Sequence, residues 1–304
     1  MNLEGTGADK AKFERGAMRL EDRWILSRLE QTRRAVNAEL EAFHFQGAIS
    51  VLYKFFWDEL CDWYLEAIKP RLAAEAERTV PQRVLAFVLD RSLRLLHPFI
   101  PFITEAAWEG LNATVRERGL PGLAESPPSD RLIAASWPEA TDSLIDEQAE
   151  REFGLRRDIL LGVRLPKAES GQSASQVTVY VPDPGPYRDL IASTFTDYGS
   201  LAGVREFHVG EEPPTGQTCA SSYVETSDVT VYVPMPEEMV VQERARVARE
   251  MEAKKRLLAS IEAKLSNPQF TDRAPPEVVE RERARAEEAR TALAALEKRL
   301  ASFG

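Results

Sequence analysis

The chain has 304 residues, of which 43% are hydrophobic and 29% charged, with 39 Lys+Arg against 49 Asp+Glu and a formal net charge of −10. It is too apolar for a disordered chain and too charged for a bundle of membrane spans, and no window holds the ~20 uninterrupted apolar residues of a spanning helix. Two cysteines, Cys61 and Cys219, are too few for a disulfide framework or a cysteine-based zinc site, and the polar start MNLEGTGADKAKFERG is no signal peptide. The expected compartment is cytoplasmic, with no membrane partner.

The acidity is unevenly spread. From Glu237 to the last residue there are 14 basic and 13 acidic residues, net +1, which leaves residues 1–236 at net −11. The overall charge therefore speaks against nucleic acid for the first part of the chain only.

Residues 19–164 read as a helical bundle. Glu21–Ala42 carries Trp24, Ile25, Leu29, Val36 and Leu40 near helical spacing. Phe45–Ile68 is richer, with Ile49, Leu52, Tyr53, Phe56, Trp57, Leu60, Tyr64 and Leu65 at steps of three and four, and it is expected to stop at Lys69-Pro70. Trp57, Leu60 and Tyr64 are expected on one face. Asp58 and Asp62 share another, where an arginine or lysine from another helix should meet them. Val80–Leu96 has Pro81 in its first turn and apolar residues most of the way round, so it should be buried, ending at His97-Pro98. Phe99-Ile-Pro-Phe102 forms a hydrophobic corner, and Thr104 is placed to cap a helix over Glu105–Ala113. A proline-bearing loop and a helix over Thr141–Arg164 complete the bundle.

Residues 165–236 change to a small α/β module. Gln176–Val181 and Asp228–Val233 alternate as strands, and the repeated VTVYVP at Val177–Pro182 and Val229–Pro234 suggests two neighbours in one sheet. Between them a short helix near Tyr187–Thr194, a strand at Val204–Val209 and a Pro/Gly/Ser loop are expected. Residues 237–304 are charged and alanine-rich. Val247, Met251, Leu258, Ile261 and Leu265 follow 4/3 spacing with Lys254 on the same seam. After the Pro275-Pro276 pair, Val279, Ala286, Ala289, Leu293, Leu296 and Leu300 continue it. This is an antiparallel coiled-coil hairpin, roughly 40 Å long for helices of about 28 residues.

No self-sufficient active site is visible. His44, His97 and His208 stand apart from ligand partners, and there is neither a phosphate-binding glycine loop nor a nucleophile elbow. Cys61 lies among Leu60, Trp63 and Leu65 as a buried inert thiol. Catalytic residues, metal ligands and a cofactor are not expected in this chain.

Several motifs in a fixed order carry a resemblance. Leu20-Glu-Asp-Arg-Trp-Ile-Leu26, Cys61-Asp-Trp-Tyr-Leu-Glu66 with Lys69-Pro70, Leu95-Leu-His-Pro-Phe-Ile-Pro-Phe-Ile-Thr-Glu105 and Trp137-Pro138 resemble the anticodon-binding helical domain of class I aminoacyl-tRNA synthetases of the Val/Ile/Leu subgroup. The Cys-Asp-Trp-Tyr-Leu-Glu run narrows the likeness to the valyl-tRNA synthetase (valine–tRNA ligase) family. Lys264-Leu-Ser-Asn-Pro-Gln-Phe270 followed by Ala274-Pro-Pro-Glu-Val-Val279 resembles the turn of that family's coiled-coil arm. The likeness is poor between about 160 and 230.

The resemblance implies a mainly α fold divided into an N-terminal tail (1–18), an anticodon-binding bundle (19–164), the α/β module (165–236) and a tRNA-binding arm (237–304). It implies tRNA(Val) as partner, together with a catalytic part of the ligase, and not DNA. The family's nucleotide-binding fold, with its HIGH-like and KMSKS-like signatures, and its editing domain are not in this sequence. ATP and Mg would act there, and this chain alone would be inactive. A fragment, a separately encoded tail and a mis-started reading frame all fit. Phosphate contacts are expected from Lys254, Lys255, Arg256, Lys264, Arg273, Arg281 and Arg285 on the arm, and less strongly from Arg23, Arg28, Arg33 and Arg34 in the bundle. Each of these also reads as an ion-pair partner of a nearby carboxylate. The alternative function is a non-catalytic helical and coiled-coil scaffold that docks a protein.

Overall fold

A computed structural model describes Leu3, residues 13–271 and residues 275–301, in two compact units, 1–157 and 158–304. The first is helical. Helix α1 (Leu20–Glu41) begins where the Arg19 backbone N–H donates to Asp22 Oδ2 at 3.0 Å. It buries Trp24, Ile25, Leu29 and Val36, and with them Asp22, Ser27, Glu30 and Arg33. Helix α2 (Phe45–Lys54) closes a cluster of Val36, Ala48, Leu52 and Leu95.

From α2 the backbone continues as a π-helical segment over Phe55–Tyr64 and then as α3 (Leu65–Ala73). Two expectations are corrected here. The helix passes through Pro70 instead of stopping before it. The lost backbone donor falls in the last turn, which Arg71 anchors by pairing with Glu21 Oε1 at 2.6 Å and Asp22 Oδ2 at 2.7 Å. Trp57 does not share a face with Leu60 and Tyr64: the wider i→i+5 turn rotates it outward, so it is 51% exposed while they are buried. Asp58 and Asp62 are likewise exposed, and among the described residues no cation meets them. The carboxylate that draws an arginine is Glu59, held by Arg28.

Helix α4 (Thr79–Leu96) is buried on nearly all sides and ends at His97, as expected. Helix α5 (Pro101–Thr114) starts earlier than Glu105, with Pro101 in its first turn and Ile100 as the flanking residue. Thr104 is therefore inside the helix, its hydroxyl donating to the Ile100 and Pro101 carbonyls at 3.0 and 3.1 Å. After an irregular stretch, α6 (Glu147–Glu169) begins at Glu147, with a separate short turn at Asp142–Leu144. Phe153 of α6 stacks on Trp24 with ring centroids 4.1 Å apart.

In the second unit α6 runs on through Pro166, beyond the expected end at Arg164. Strands β1 (Val177–Val181), β2 (Val204–Val209), β3 (Cys219–Val224) and β4 (Val229–Pro234) form one sheet in the order β2-β1-β4-β3. The two VTVYV strands are neighbours, antiparallel, with Tyr180 opposite Tyr232, and all six of their valines are buried. Helix α7 (Arg188–Tyr198) connects β1 to β2, which pair in parallel. Strand β3 occupies part of the expected Pro/Gly/Ser loop. Its sequence, CASSYV, carries little apolar alternation, and it is held at the sheet edge by pairing to β4 alone. The arm consists of α8 (Glu237–Leu265), the one-turn α9 (Pro268–Thr271) and α10 (Pro276–Ala301).

Gly162 of α6 lies against this sheet so closely that an added Cβ would stand 2.5 Å from Val224 Cγ2. Gly162→Val is expected to destabilise the second unit by about 1–3 kcal/mol through overpacking. Hydrogen exchange should read this as lost protection in β3 and β4, with α1 and α4 unchanged.

Candidate nucleic-acid interface

The arm is a coiled coil built on the expected seam. Val247 and Ile261 of α8 and Val279, Ala286, Ala289 and Leu293 of α10 are buried, while Met251, Lys254, Leu258, Leu265 and Leu296 are half-buried. Alanines at 286 and 289 let the backbones approach. Arg290 Nη2 of α10 reaches Glu262 Oε1 of α8 at 2.7 Å and ties the two helices in register.

The predicted cations fall into three groups. Lys255, Lys264 and Arg281 are exposed, and among the described residues no carboxylate is paired with them. Arg256 and Arg285 are also exposed but share their charge with Glu252 at 3.3 Å and Glu282 at 2.9 Å. Lys254 is half-buried on the seam, as its spacing predicts. Arg273 lies outside the described residues. Lys254, Lys255 and Arg256 are consecutive, and the exposed members carry long, solvated side chains that can follow a phosphate backbone.

The four bundle arginines are drawn inward. Arg33 is buried and forms a forked contact with Glu30, with Nη2 to Oε1 at 2.7 Å. Arg28 donates Nε and Nη2 to the two oxygens of Glu59 at 2.8 and 2.9 Å and Nη1 to Glu150 at 3.2 Å. The hydrogen bond to Glu59 is the main influence holding its guanidinium above the ordinary arginine range. Arg23 pairs with Asp146 at 2.9 Å, and the more exposed Arg34 with Asp142 at 2.7 Å. The sequence marks these side chains as basic. It does not show that helices far along the chain bring carboxylates to them.

Other predicted chemistry is equally local. His97 Nδ1 lies 2.9 Å from the Thr104 hydroxyl, His44 3.6 Å from Glu39, and His208 within 3.5 Å of Glu206 and Glu211. Among the described residues no group of three or more His, Cys, Asp or Glu side chains could hold a metal ion. Cys61 is half-buried, not buried as expected; partial burial, with Asp62 beside it, still pushes its thiol up, which makes it a poor nucleophile. No helix among the described residues is long and apolar enough to cross a membrane. Sequence reasoning did not find the buried arginines Arg83, Arg91, Arg94 and Arg118, whose only signal is basic residues on or beside a helix that is otherwise apolar all round.

Comparison with known proteins places this geometry. Residues 22–180 match the family described as the anticodon-binding domain of tRNA ligase, and the chain belongs to that family. Residues 240–304, which include all but the first three residues of α8, match the tRNA binding arm of valyl tRNA synthetase. Similar curated proteins are the valine–tRNA ligases of Thermotoga maritima, 38% identical over 98% of this chain, of Rhodopirellula baltica, 33% over 93%, and of Fervidobacterium nodosum, 35% over 92%. The chain spans about a third of the length of these relatives: 32%, 27% and 30% respectively.

The two kinds of arginine separate in a stability measurement. Arg28→Ala leaves Glu59 buried without its cation and should cost about 2–4 kcal/mol in urea unfolding of the first unit. Arg34→Ala breaks a half-exposed pair and should stay within about 1 kcal/mol.

Proposed function

We propose that this chain is the tRNA-positioning portion of a valine–tRNA ligase. It holds tRNA(Val) while a catalytic part of the ligase activates valine with ATP and transfers it to the tRNA 3′ end. The observation that carries this reading is the pairing of an anticodon-binding bundle with a coiled-coil arm in one chain. In this reading ATP and magnesium act in the catalytic part, this chain alone does not activate valine, and the assembly works in the cytoplasm.

The physical division of labour follows from charge. The bundle's arginines are engaged by Glu30, Glu59, Asp142, Asp146 and Glu150, so they contribute shape and register more than free positive charge. The arm offers Lys255, Lys264 and Arg281 without carboxylate partners among the described residues, flanked by Arg256 and Arg285. Such contacts neutralise phosphates and release counterions, giving affinity with little base preference. The arm, about 40 Å long at 1.5 Å per residue, supplies reach.

A gel-shift titration of the full chain with tRNA across a salt series tests this. Binding should weaken steeply with salt. The triple variant Lys255→Ala, Lys264→Ala, Arg281→Ala should lower the salt slope by up to about 3 and the affinity at moderate salt by at least ~10-fold, with an unchanged circular dichroism spectrum. Absence of tRNA binding at low salt, even with the catalytic part supplied, would overturn the reading. Recovery of a stable protein partner under those conditions would favour a docking scaffold instead.

A further inference from the structure

The loop over residues 115–128 packs on α4 around a charge arrangement that tRNA positioning leaves unused. Arg83, Arg91 and Arg94 stand on α4 and Arg118 on the loop. All four are buried, Arg83 at 2% and Arg118 at 1% exposure. One buried carboxylate hydrogen-bonds to them: Asp90 accepts from Arg94 Nε and Arg118 Nε, each at 2.8 Å, and also from the Ser126 hydroxyl.

The remaining acceptors are neutral. Arg83 Nη1 donates to the Glu117 carbonyl at 3.0 Å, and Arg91 Nη2 to the Glu125 carbonyl. Arg94 reaches the Pro127 and Ser136 carbonyls, and Arg118 the Asn112 side chain and the Val115 carbonyl. Burial pushes the guanidinium groups of Arg83, Arg91 and Arg118 below their ordinary range, but an arginine keeps its proton at neutral pH. Glu30 and Glu139 act on Arg91 through charge alone, and the Trp108 ring faces Arg94 and Arg118 at 5.0 and 4.1 Å, but among the described residues Arg83 has no such compensation and Arg118 shares Asp90 with Arg94; a poorly compensated ion is costly inside a protein.

Two buried guanidinium nitrogens, Arg83 Nη2 and Arg118 Nη2, have no hydrogen-bond partner among the described residues. Arg83 and Arg118, with Gly119 and Ser126, line a cavity of about 370 Å³.

We propose that this cavity binds an oxyanion of the phosphate class. Guanidinium forks match phosphate geometry in both spacing and charge. The carboxylates of Glu117 and Glu125, exposed residues that also line the cavity, would resist a polyanion, which favours a single phosphate group. The cavity volume leaves room for such a group with its water or one ester substituent.

The proposal does not depend on the tRNA reading, because phosphate alone is the probe. Inorganic phosphate is titrated from 0 to roughly 20 mM at fixed ionic strength, and thermal unfolding of the full chain is followed. A saturable rise in Tm of about 3 °C is expected for the wild type. Arg83→Met should abolish it. In parallel, the 15N-labelled guanidinium resonances of Arg83 and Arg118 in the wild type should shift saturably with the same midpoint. This second measurement decides the matter if Arg83→Met fails to fold. Unmoved guanidinium resonances, or a Tm response identical in wild type and variant, would overturn the proposal. Adding tRNA to the phosphate-loaded protein then identifies the source: loss of the phosphate shift marks a tRNA backbone phosphate, and its persistence marks a free anion.

Discussion

The first unit depends on charges that α1 buries and that helices distant in sequence must neutralise. Asp22 needs Arg71 of α3 and the Tyr64 hydroxyl at 3.0 Å. Arg28 needs Glu59 from the π-helical segment and Glu150 from α6. Ser27 donates to Glu150 and accepts from the Asp146 backbone N–H at 2.9 Å. Buried pairs of this kind add little net stability over an apolar core, but breaking one leaves a desolvated ion. Their effect is therefore on arrangement. A helix order that left any of these groups unpaired would be strongly disfavoured, whereas aliphatic side chains such as Val36 and Leu52 would tolerate several packings.

The arm uses a weaker form of the same device. Most of its seam is apolar, yet Lys254 sits half-buried on α8, and Glu282 of α10 has one oxygen buried without a partner while the other accepts from Arg285. Polar groups on a coiled-coil seam reduce stability and limit the registers available. The cross-helix pair Arg290–Glu262 selects among those that remain. Much of the core here consists of alanine and valine, so the hairpin gains close backbone approach more than apolar area.

Where periodicity was strong, the sequence read correctly. The seam residues Val247, Ile261, Val279 and Leu293 are buried as their spacing requires, and the repeated VTVYV segments are neighbouring strands. The failures have local physical causes. Trp57 departs from the α-helical period because the stretch that carries it is π-helical. Strand β3 is not legible in its own pattern, because pairing to β4 makes it a strand. The continuation through Pro70 depends on Arg71 meeting Glu21 and Asp22, residues some fifty positions earlier. The candidate cations were visible as residue types, but their availability was not, since burial and pairing are tertiary facts. Arg28 and Lys255 look alike in sequence and differ entirely in their surroundings.

That difference changes how the net charge is read. Formal counting gives residues 1–236 a charge of −11 and the remainder +1, which suggests that only the arm could approach RNA. The structure separates buried from exposed charge. In the first unit Arg28, Arg33, Arg71, Arg94 and Arg118 each hold a carboxylate in the interior or at its edge. Such pairs take an acid and a base out of the external field together, so they leave the net charge as counted but remove those arginines as free cations. On the arm, the exposed cations include Lys255, Lys264 and Arg281, which share no carboxylate among the described residues. Among the predicted cations, those left without a carboxylate partner are therefore on the arm, while the arginines of the bundle that were expected to meet phosphate are engaged by Glu30, Glu59, Asp142, Asp146 and Glu150.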